Sequence, residues 1–405
     1  MIPIHELKES ELNTIRVACS YLFSPELARD RIFLRNLKPD SVKKAYRDKA
    51  KRYHPDLHTH ESKEMIHRRK ERFFKIQESY ECLNGLFREN ISLVFEQGAG
   101  RGEIIAIGGA KGGIGKSIFA ANLGVLLASM GKRTILVDLD LGGANLHLYL
   151  GNLRFRGGIS DFLSGSTANI QDIAVRSKYG PFLIGGDSSQ LGAANISFTQ
   201  KLKLLKALKQ IEADYVILDL GGDTTYNIID FFLAADYGII VTTCDPASYL
   251  EAYNFLKVAL YRKLNRIFGA ESAFRGKKDP ELTDLINDFT YGAPQSKEMT
   301  IPDLLTVIDE KQPRNLSVVK ETIGAYHPYI VANRVTNQCN VNEVVERIRL
   351  VAKKQLSVNV EYMGSIPYEE EIEMSVRELV PVVTKYPQGM LAKKTRQIAK
   401  AFLSS

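Results

Sequence analysis

The chain's 405 residues, 44% of them hydrophobic, suffice for one large or two ordinary domains with a buried core. No apolar run approaches the roughly 18–20 residues of a membrane span, and the opening MIPIHELKES has neither a basic head nor an apolar signal core, so a cytoplasmic protein is expected. The net charge of +7 permits contact with nucleic acid or acidic lipid without demanding either; Cys19, Cys82, Cys244 and Cys339, with no CxxC pair, argue against a zinc knuckle or disulfide scaffold and read as ordinary thiols.

Residues 1–97 read as a small all-α module. In SVKKAYRDKAKRYHPDLH (41–58), Val42, Ala45, Tyr46, Ala50 and Tyr53 share one helical stripe while lysines and arginines line the rest. Pro55 disfavours helical geometry at His54 and ends that helix. In the next, Phe73, Ile76, Tyr80, Leu83 and Phe87 recur at spacings of three and four, so two antiparallel helices flank an exposed turn. A basic helix, a His54-Pro55-Asp56 turn and FFKIQESYECL together resemble the J-domain. That resemblance implies docking on a DnaK-type chaperone through His54, Pro55 and Asp56. The first helix of that family, with its Tyr-Leu-Gly ending, is not recognisable in residues 11–38.

A Gly-rich linker at 98–102 separates this module from an α/β domain over 103–405. The runs at 103–109, 133–140, 215–222, 237–243 and 329–334 are nearly continuous Val/Ile/Leu segments, as in strands buried on both faces. Helical stretches alternate with them, which predicts a doubly wound, mostly parallel sheet with ligands at the carboxyl ends of the strands. Residues 262–325 interrupt the alternation as a partly helical insertion. The last helix, within GMLAKKTRQIAKAFLSS, has a narrow apolar face with no Trp and is expected to pack in the core rather than on lipid.

Between the first strand and the first helix of this domain stands AKGGIGKS (110–117). Glycine lets backbone N–H groups come close to phosphate oxygens, and Gly112, Gly113 and Gly115 supply that approach. Lys116 is placed for the β/γ oxygens and Ser117 for Mg²⁺. Ala110 breaks the strict GxxxxGK[ST] pattern and leaves the variant KGGxGK[ST]. One lysine is enough for a phosphate loop, so Lys111 is in excess.

KGGIGKS resembles the deviant phosphate loop of the MinD/ParA superfamily. DLDLGGANLHLYLG (138–151) and DLGGDTTYNIIDFFLAADYGIIVTTCDPAS (219–248) resemble the two switches of MinD and its flagellar relative FlhG, and VANR and GSIPYEEEI resemble the adenine-contacting segments. The resemblance spans 103–403 apart from the insertion. It implies a P-loop NTPase fold, an ATPase using ATP and Mg²⁺, and a homodimer closed by ATP. Lys111 is then the signature lysine that crosses to the partner's triphosphate, and Gly112, Gly113, Ile114, Gly115, Lys116, Ser117 and Ile118 hold the nucleotide. Asp140 orients the attacking water with Asp138 supporting the metal shell, and Ser117, Asp140 and Asp219 serve the metal. Gly222 offers its N–H to the γ-phosphate, Asn333 reads adenine and Pro367 packs on it. Cys244 stands where relatives often have proline, and Glu369 where they often have Asp.

The function implied is a nucleotide-switched ATPase that positions or assembles a cellular structure through an unidentified cargo or activator, with the J-like module recruiting a chaperone. The alternatives are a co-chaperone adaptor whose ATPase fold is a regulated scaffold, and a ParA-like DNA-partition ATPase. DLDLGGANL fits MinD and FlhG better than ParA, so DNA is not the expected partner, whereas a membrane surface or cell pole is compatible.

Overall fold

The computed structural model describes residues 9–53, 102–151, 155, 157–185, 196–267 and 300–403, with scattered positions between 65 and 83 and between 282 and 289. His54, Pro55, Asp56 and most of the 98–102 linker lie outside the described residues. The chain divides into two compact units: Met1–Gln97 with Ser197–Leu202 and Ala270–Lys278, and the remainder.

In the first unit, helices α1 (Glu9–Leu22), α2 (Pro25–Arg29), α3 (Arg31–Arg35) and α4 (Pro39–Tyr53) follow one another closely. Side-chain caps cut the segment into short pieces. Ser24 Oγ accepts from Leu27 N at 3.3 Å, and Asp30 Oδ1 accepts from Ile32 N at 2.7 Å and Phe33 N at 3.2 Å. Ile15, Leu22, Leu34 and Val42 are buried together with Ile76 and Leu83. The two apolar stripes read from the sequence therefore face each other, with Tyr46 stacked on Tyr80 at 4.3 Å.

The second unit is a sheet clothed by helices. Its strands are β1 (Glu103–Gly108), β2 (Thr134–Asp138), β3 (Val175–Arg176), β4 (Phe182–Ile184), β5 (Tyr215–Asp219), β6 (Tyr237–Thr242), β7 (Pro328–Val335) and β8 (Glu361–Pro367). They lie in the order β3-β4-β2-β5-β1-β6-β7-β8, and every pairing is parallel except β3 with β4. Ile105, Ile107, Leu136, Ile217 and Ile239 are fully buried, as expected for strands covered on both faces. The chain leaves β1 toward β2 on one side and later crosses from β5 to β6 on the other. That reversal opens the crevice at the end of β1 where doubly wound sheets bind ligands.

The helices are α5 (Lys116–Ser129), α6 (Ile159–Ser164), α7 (Phe198–Leu208), α8 (Tyr226–Leu233), α9 (Pro246–Ile267), α10 (Ile301–Lys311), α11 (Pro313–Gly324), α12 (Val341–Val351), α13 (Glu370–Arg377), α14 (Val382–Lys385) and α15 (Met390–Leu403). The described part of the 262–325 insertion is helical. In it α11 packs on α9, and α10 meets the turn at Ala352–Leu356.

Two features differ from a plain reading of hydrophobic runs. Strand β4 is apolar but has only three residues, and β8 is an edge strand whose side chains are mostly half-buried and which carries no continuous apolar run. The last helix packs as expected. Leu391, Ile398 and Phe402 are buried against α5 and β8, and Phe402 O accepts from Tyr215 Oη at 3.0 Å. Among the described residues no helix is long and apolar enough to cross a membrane.

Phe402 also meets Tyr237 edge-on at 4.9 Å. Phe402→Ala should lower the stability of this unit by about 3–5 kcal/mol, read as a lower urea midpoint by far-ultraviolet circular dichroism, whereas the exposed Leu403→Ala should leave the midpoint in place.

Candidate functional site

The loop between β1 and α5 is held from outside by three side chains. Lys116 Nζ donates to Lys111 O at 3.0 Å, Arg334 Nη1 to Gly113 O at 3.3 Å and Asn333 Nδ2 to Ile114 O at 2.7 Å. With these three carbonyls engaged, the N–H groups of the loop remain to be placed. Among the described residues, those of Gly112, Gly113 and Gly115 donate to no protein acceptor. Helix α5 starts immediately beyond. Its cap Gly115 has φ +91° and makes no side-chain cap bond, so the positive end of the helix dipole is open toward the loop.

Gly115 is required twice. Its positive φ suits glycine, and an added Cβ would stand 2.3 Å from Asn333 Nδ2. At Gly222 a Cβ would meet Gly112 N at 3.0 Å, so the second switch packs backbone to backbone on the phosphate loop.

Below the loop, parallel register places Asp138 at the end of β2 beside Asp219 at the end of β5. Both are buried. Burial pushes Asp138 up to about 7 against hydrogen bonds from Leu146 N and Asp140 N that oppose the shift. Asp219 is raised well above the ordinary carboxylate range by burial and then by the charge of Asp138, with the Ser117 hydroxyl and Lys116 working in the other direction. Lys116 is itself lowered by burial, countered by Asp219, Asp140 and Asp223. The result is a desolvated amine among carboxylates at the foot of an anion-binding loop.

The carboxylates have separate tasks. Asp138 Oδ1 accepts from Asp140 N at 3.2 Å and Oδ2 from Leu146 N at 3.0 Å, so it pins the 140–146 loop. Asp140 lies against Gly143 and Gly221, between the two switches. Asp219 Oδ1 is buried without a hydrogen-bond partner. An orphaned carboxylate oxygen beside the Ser117 hydroxyl is the donor set that Mg²⁺ takes in a nucleotide site, where phosphates supply further ligands. Among the described residues no group of three or more His, Cys, Asp or Glu is arranged to hold a metal ion.

Beside the loop lies a cavity of about 340 Å³ whose walls include Gly115, Ile118, Asn333, Ile366, Tyr368 and Thr395. Its lining is mainly apolar, with one buried hydroxyl, Thr395 Oγ1, that has no hydrogen-bond partner. This is the environment a planar heterocycle occupies. Pro367 ends β8 between two of the wall residues.

A model of the CobQ/CobB/MinD/ParA nucleotide binding domain matches residues 105–382. The chain belongs to the MinD/ParA family of P-loop ATPases. A DnaJ domain model matches residues 34–86 of this MinD/ParA ATPase. The antiactivator FleN of Pseudomonas aeruginosa is 22% identical to it over 300 residues, 74% of this chain and 85% of FleN. The flagellum site-determining protein YlxH of Helicobacter pylori is 32% identical over 166 residues, 40% of this chain and 56% of that protein. The septum site-determining protein MinD of Bacillus subtilis is 32% identical over 153 residues, 37% and 57% of the two chains. For the last two the matched region is thus little more than half of the relative's length.

In this MinD/ParA ATPase the sequence reading named the segments VANR and GSIPYEEEI but did not single out Arg334 or Tyr368 in them, and it gave Thr395 no role. Arg334 braces the loop from a left-handed backbone position at φ 56°, and Tyr368 and Thr395 line the base-sized cavity. Only the place of Arg334 at the end of the VANR segment hinted at the first. The reading of all four cysteines as ordinary thiols is corrected, because Cys244 and Cys339 are joined in a disulfide. Their 95-residue separation hides a pairing that adjacent parallel strands create. Lys111 points away from the buried cluster. Its Nζ meets Asp245 Oδ2 at 2.6 Å, with side chains 41% and 50% exposed.

Gly115→Ala should destabilise the nucleotide-free protein by about 1–3 kcal/mol and abolish binding of a fluorescent ATP analogue. Gly112→Ala, where an added Cβ meets nothing within 4 Å, should leave stability unchanged by thermal denaturation.

Proposed function

We propose that this ATPase works as an ATP-closed homodimer that positions or assembles a cellular structure, and that its helical module recruits a DnaK-type chaperone through His54, Pro55 and Asp56. The observation that carries the reading is the division of labour between two lysines. Lys116 is buried at the foot of the loop, while the Lys111 side chain is exposed on its outer side and pairs with Asp245 instead of the buried carboxylates. A cation in that position suits a partner's phosphate better than its own.

In this reading Gly112, Gly113, Ile114, Gly115, Lys116, Ser117 and Ile118 cradle the triphosphate, Gly222 donates to its terminal group, and the base enters the cavity walled by Asn333 and Tyr368 next to Pro367. When bound, Mg²⁺ would be held by Ser117 and Asp219, with Asp140 close by, and would neutralise phosphate charge. Asp140 orients the attacking water, kept in place by Asp138 through the backbone of the 140–146 loop. Lys111 arriving from the facing subunit stabilises charge on the transferred phosphoryl group as an arginine finger does. Both switches change contacts once that group leaves, which opens the dimer.

The names of the relatives, an antiactivator, a flagellum site-determining protein and a septum site-determining protein, support a role in placing a flagellum or a division site. The action proposed is cytoplasmic, at a membrane face or cell pole. The DnaJ match supports chaperone recruitment from a module separate from the nucleotide site.

Lys111→Ala should still bind ATP but fail to dimerise in its presence, and light scattering that shows an undiminished ATP-induced dimer would refute the assigned role. His54→Gln should leave ATP turnover unchanged while ending stimulation of a DnaK-type ATPase. Equal stimulation by wild type and variant would remove chaperone recruitment from the function.

A further inference from the structure

We propose that Cys244 and Cys339 form a reversible thiol–disulfide modification site that controls the release of Lys111; the consequence for dimerisation rests on the role given to Lys111 above. Strands β6 and β7 are parallel neighbours in register from Gly238↔Pro328 to Thr242↔Ala332, so the loops that leave them emerge side by side. Cys244 follows β6 and Cys339 sits in the turn after β7, with Cα atoms 6.1 Å apart. The bond staples two loops that the sheet alone does not connect.

Those loops flank the phosphate loop. Lys111, Gly113, Cys244, Asp245, Arg334 and Thr336 line one cavity of about 410 Å³. Cys339 N donates to Thr336 O at 3.0 Å, which fixes the far end of the staple. Asp245 adjoins Cys244 and begins the turn into α9, where its Oδ2 accepts from Ser248 N at 3.1 Å as well as from Lys111 Nζ at 2.6 Å. The carboxylate that holds Lys111 is therefore anchored on one side by the first turn of a helix and on the other by the disulfide.

An exposed ion pair of this kind is screened by solvent and weak when its partners are mobile. The staple removes that mobility for Asp245. In the oxidised form Lys111 is parked on its own subunit. In the reduced form the β6–α9 loop moves independently of the β7 turn, and the lysine is free to reach outward.

Both cysteines are half-buried, within reach of a small dithiol. A reagent thiolate attacks one sulfur, the S–S bond breaks and one cysteine leaves as thiolate. The reagent's second thiolate then attacks the mixed disulfide and expels the other cysteine. Two electrons and two protons pass to the protein, and the reagent ends as a cyclic disulfide. A glutathione-type disulfide drives the reverse sequence through a mixed disulfide, releasing two reduced thiols.

The test uses the full chain equilibrated in oxidised glutathione or in dithiothreitol. The linked peptides are measured by mass spectrometry, loop mobility by amide hydrogen exchange and association by light scattering with a non-hydrolysable ATP analogue. The oxidised protein should yield a Cys244–Cys339 peptide and exchange over 243–248 and 336–340 about tenfold more slowly than the reduced protein. The reduced protein should form more ATP-dependent dimer, and Cys339→Ser should match it in both buffers. Absence of the linked peptide in oxidising buffer, or identical exchange in both redox states, overturns the site. A redox response in exchange with identical dimerisation overturns control through Lys111. If neither redox form nor Cys339→Ser dimerises with ATP, the homodimer reading itself fails, and the peptide and exchange results still decide whether the modification site exists.

Discussion

The site depends on holding a glycine-rich loop open by its carbonyl oxygens. A loop this rich in glycine has many conformations in the unfolded chain and loses more backbone entropy on ordering than a glycine-free loop of the same length. Three side chains oppose that loss. Lys116 comes from the helix that follows, whereas Asn333 and Arg334 come from β7, more than two hundred residues away in sequence. Each such bond contributes on the order of 1 kcal/mol, and their placement matters more than their sum. They occupy acceptors, so that the donors remain for an anion.

The buried charges beneath the loop follow the same logic. Carboxylates that share a desolvated corner resist ionisation, and the raised values for Asp138 and Asp219 express that resistance. A divalent cation and a polyphosphate together would relieve it, the cation by balancing Asp219 and the phosphates by balancing Lys116. The corner is thus costly when empty and favourable when filled. Under the proposed function, such an arrangement lets nucleotide binding bias the positions of the two switches. Asp138 shows how, since the same residue that lies beside Asp219 also fixes the loop that carries Asp140.

Outside this corner the protein has two further layers of possible control. One is the helical unit, whose own core of Ile15, Leu22, Leu34 and Val42 makes it a folded body rather than an extension of the sheet unit. Under the proposed function, tethering this body to the ATPase raises the local concentration of a recruited chaperone at the ATPase. The other is the ring of loops around Lys111, where a covalent bond and an ion pair meet at adjacent residues, Cys244 and Asp245.

The sequence alone determined the class of fold, the strands β1, β2, β5, β6 and β7, and the phosphate loop with its glycines, because buried parallel strands and anion-binding turns impose local constraints on residue type. It also showed that Lys111 was a lysine too many. Tertiary structure alone decided the short or half-exposed strands β4 and β8, the bracing of the loop by Asn333 and Arg334, and the hydrogen bonds of Asp138 to the 140–146 loop. It alone brought Thr395 and Tyr368 to one cavity and Cys244 to Cys339. Each of these is a relation between segments far apart in the chain, set by which strands lie side by side. A periodicity or a motif carries no record of that adjacency, because it is fixed only when the sheet closes its order.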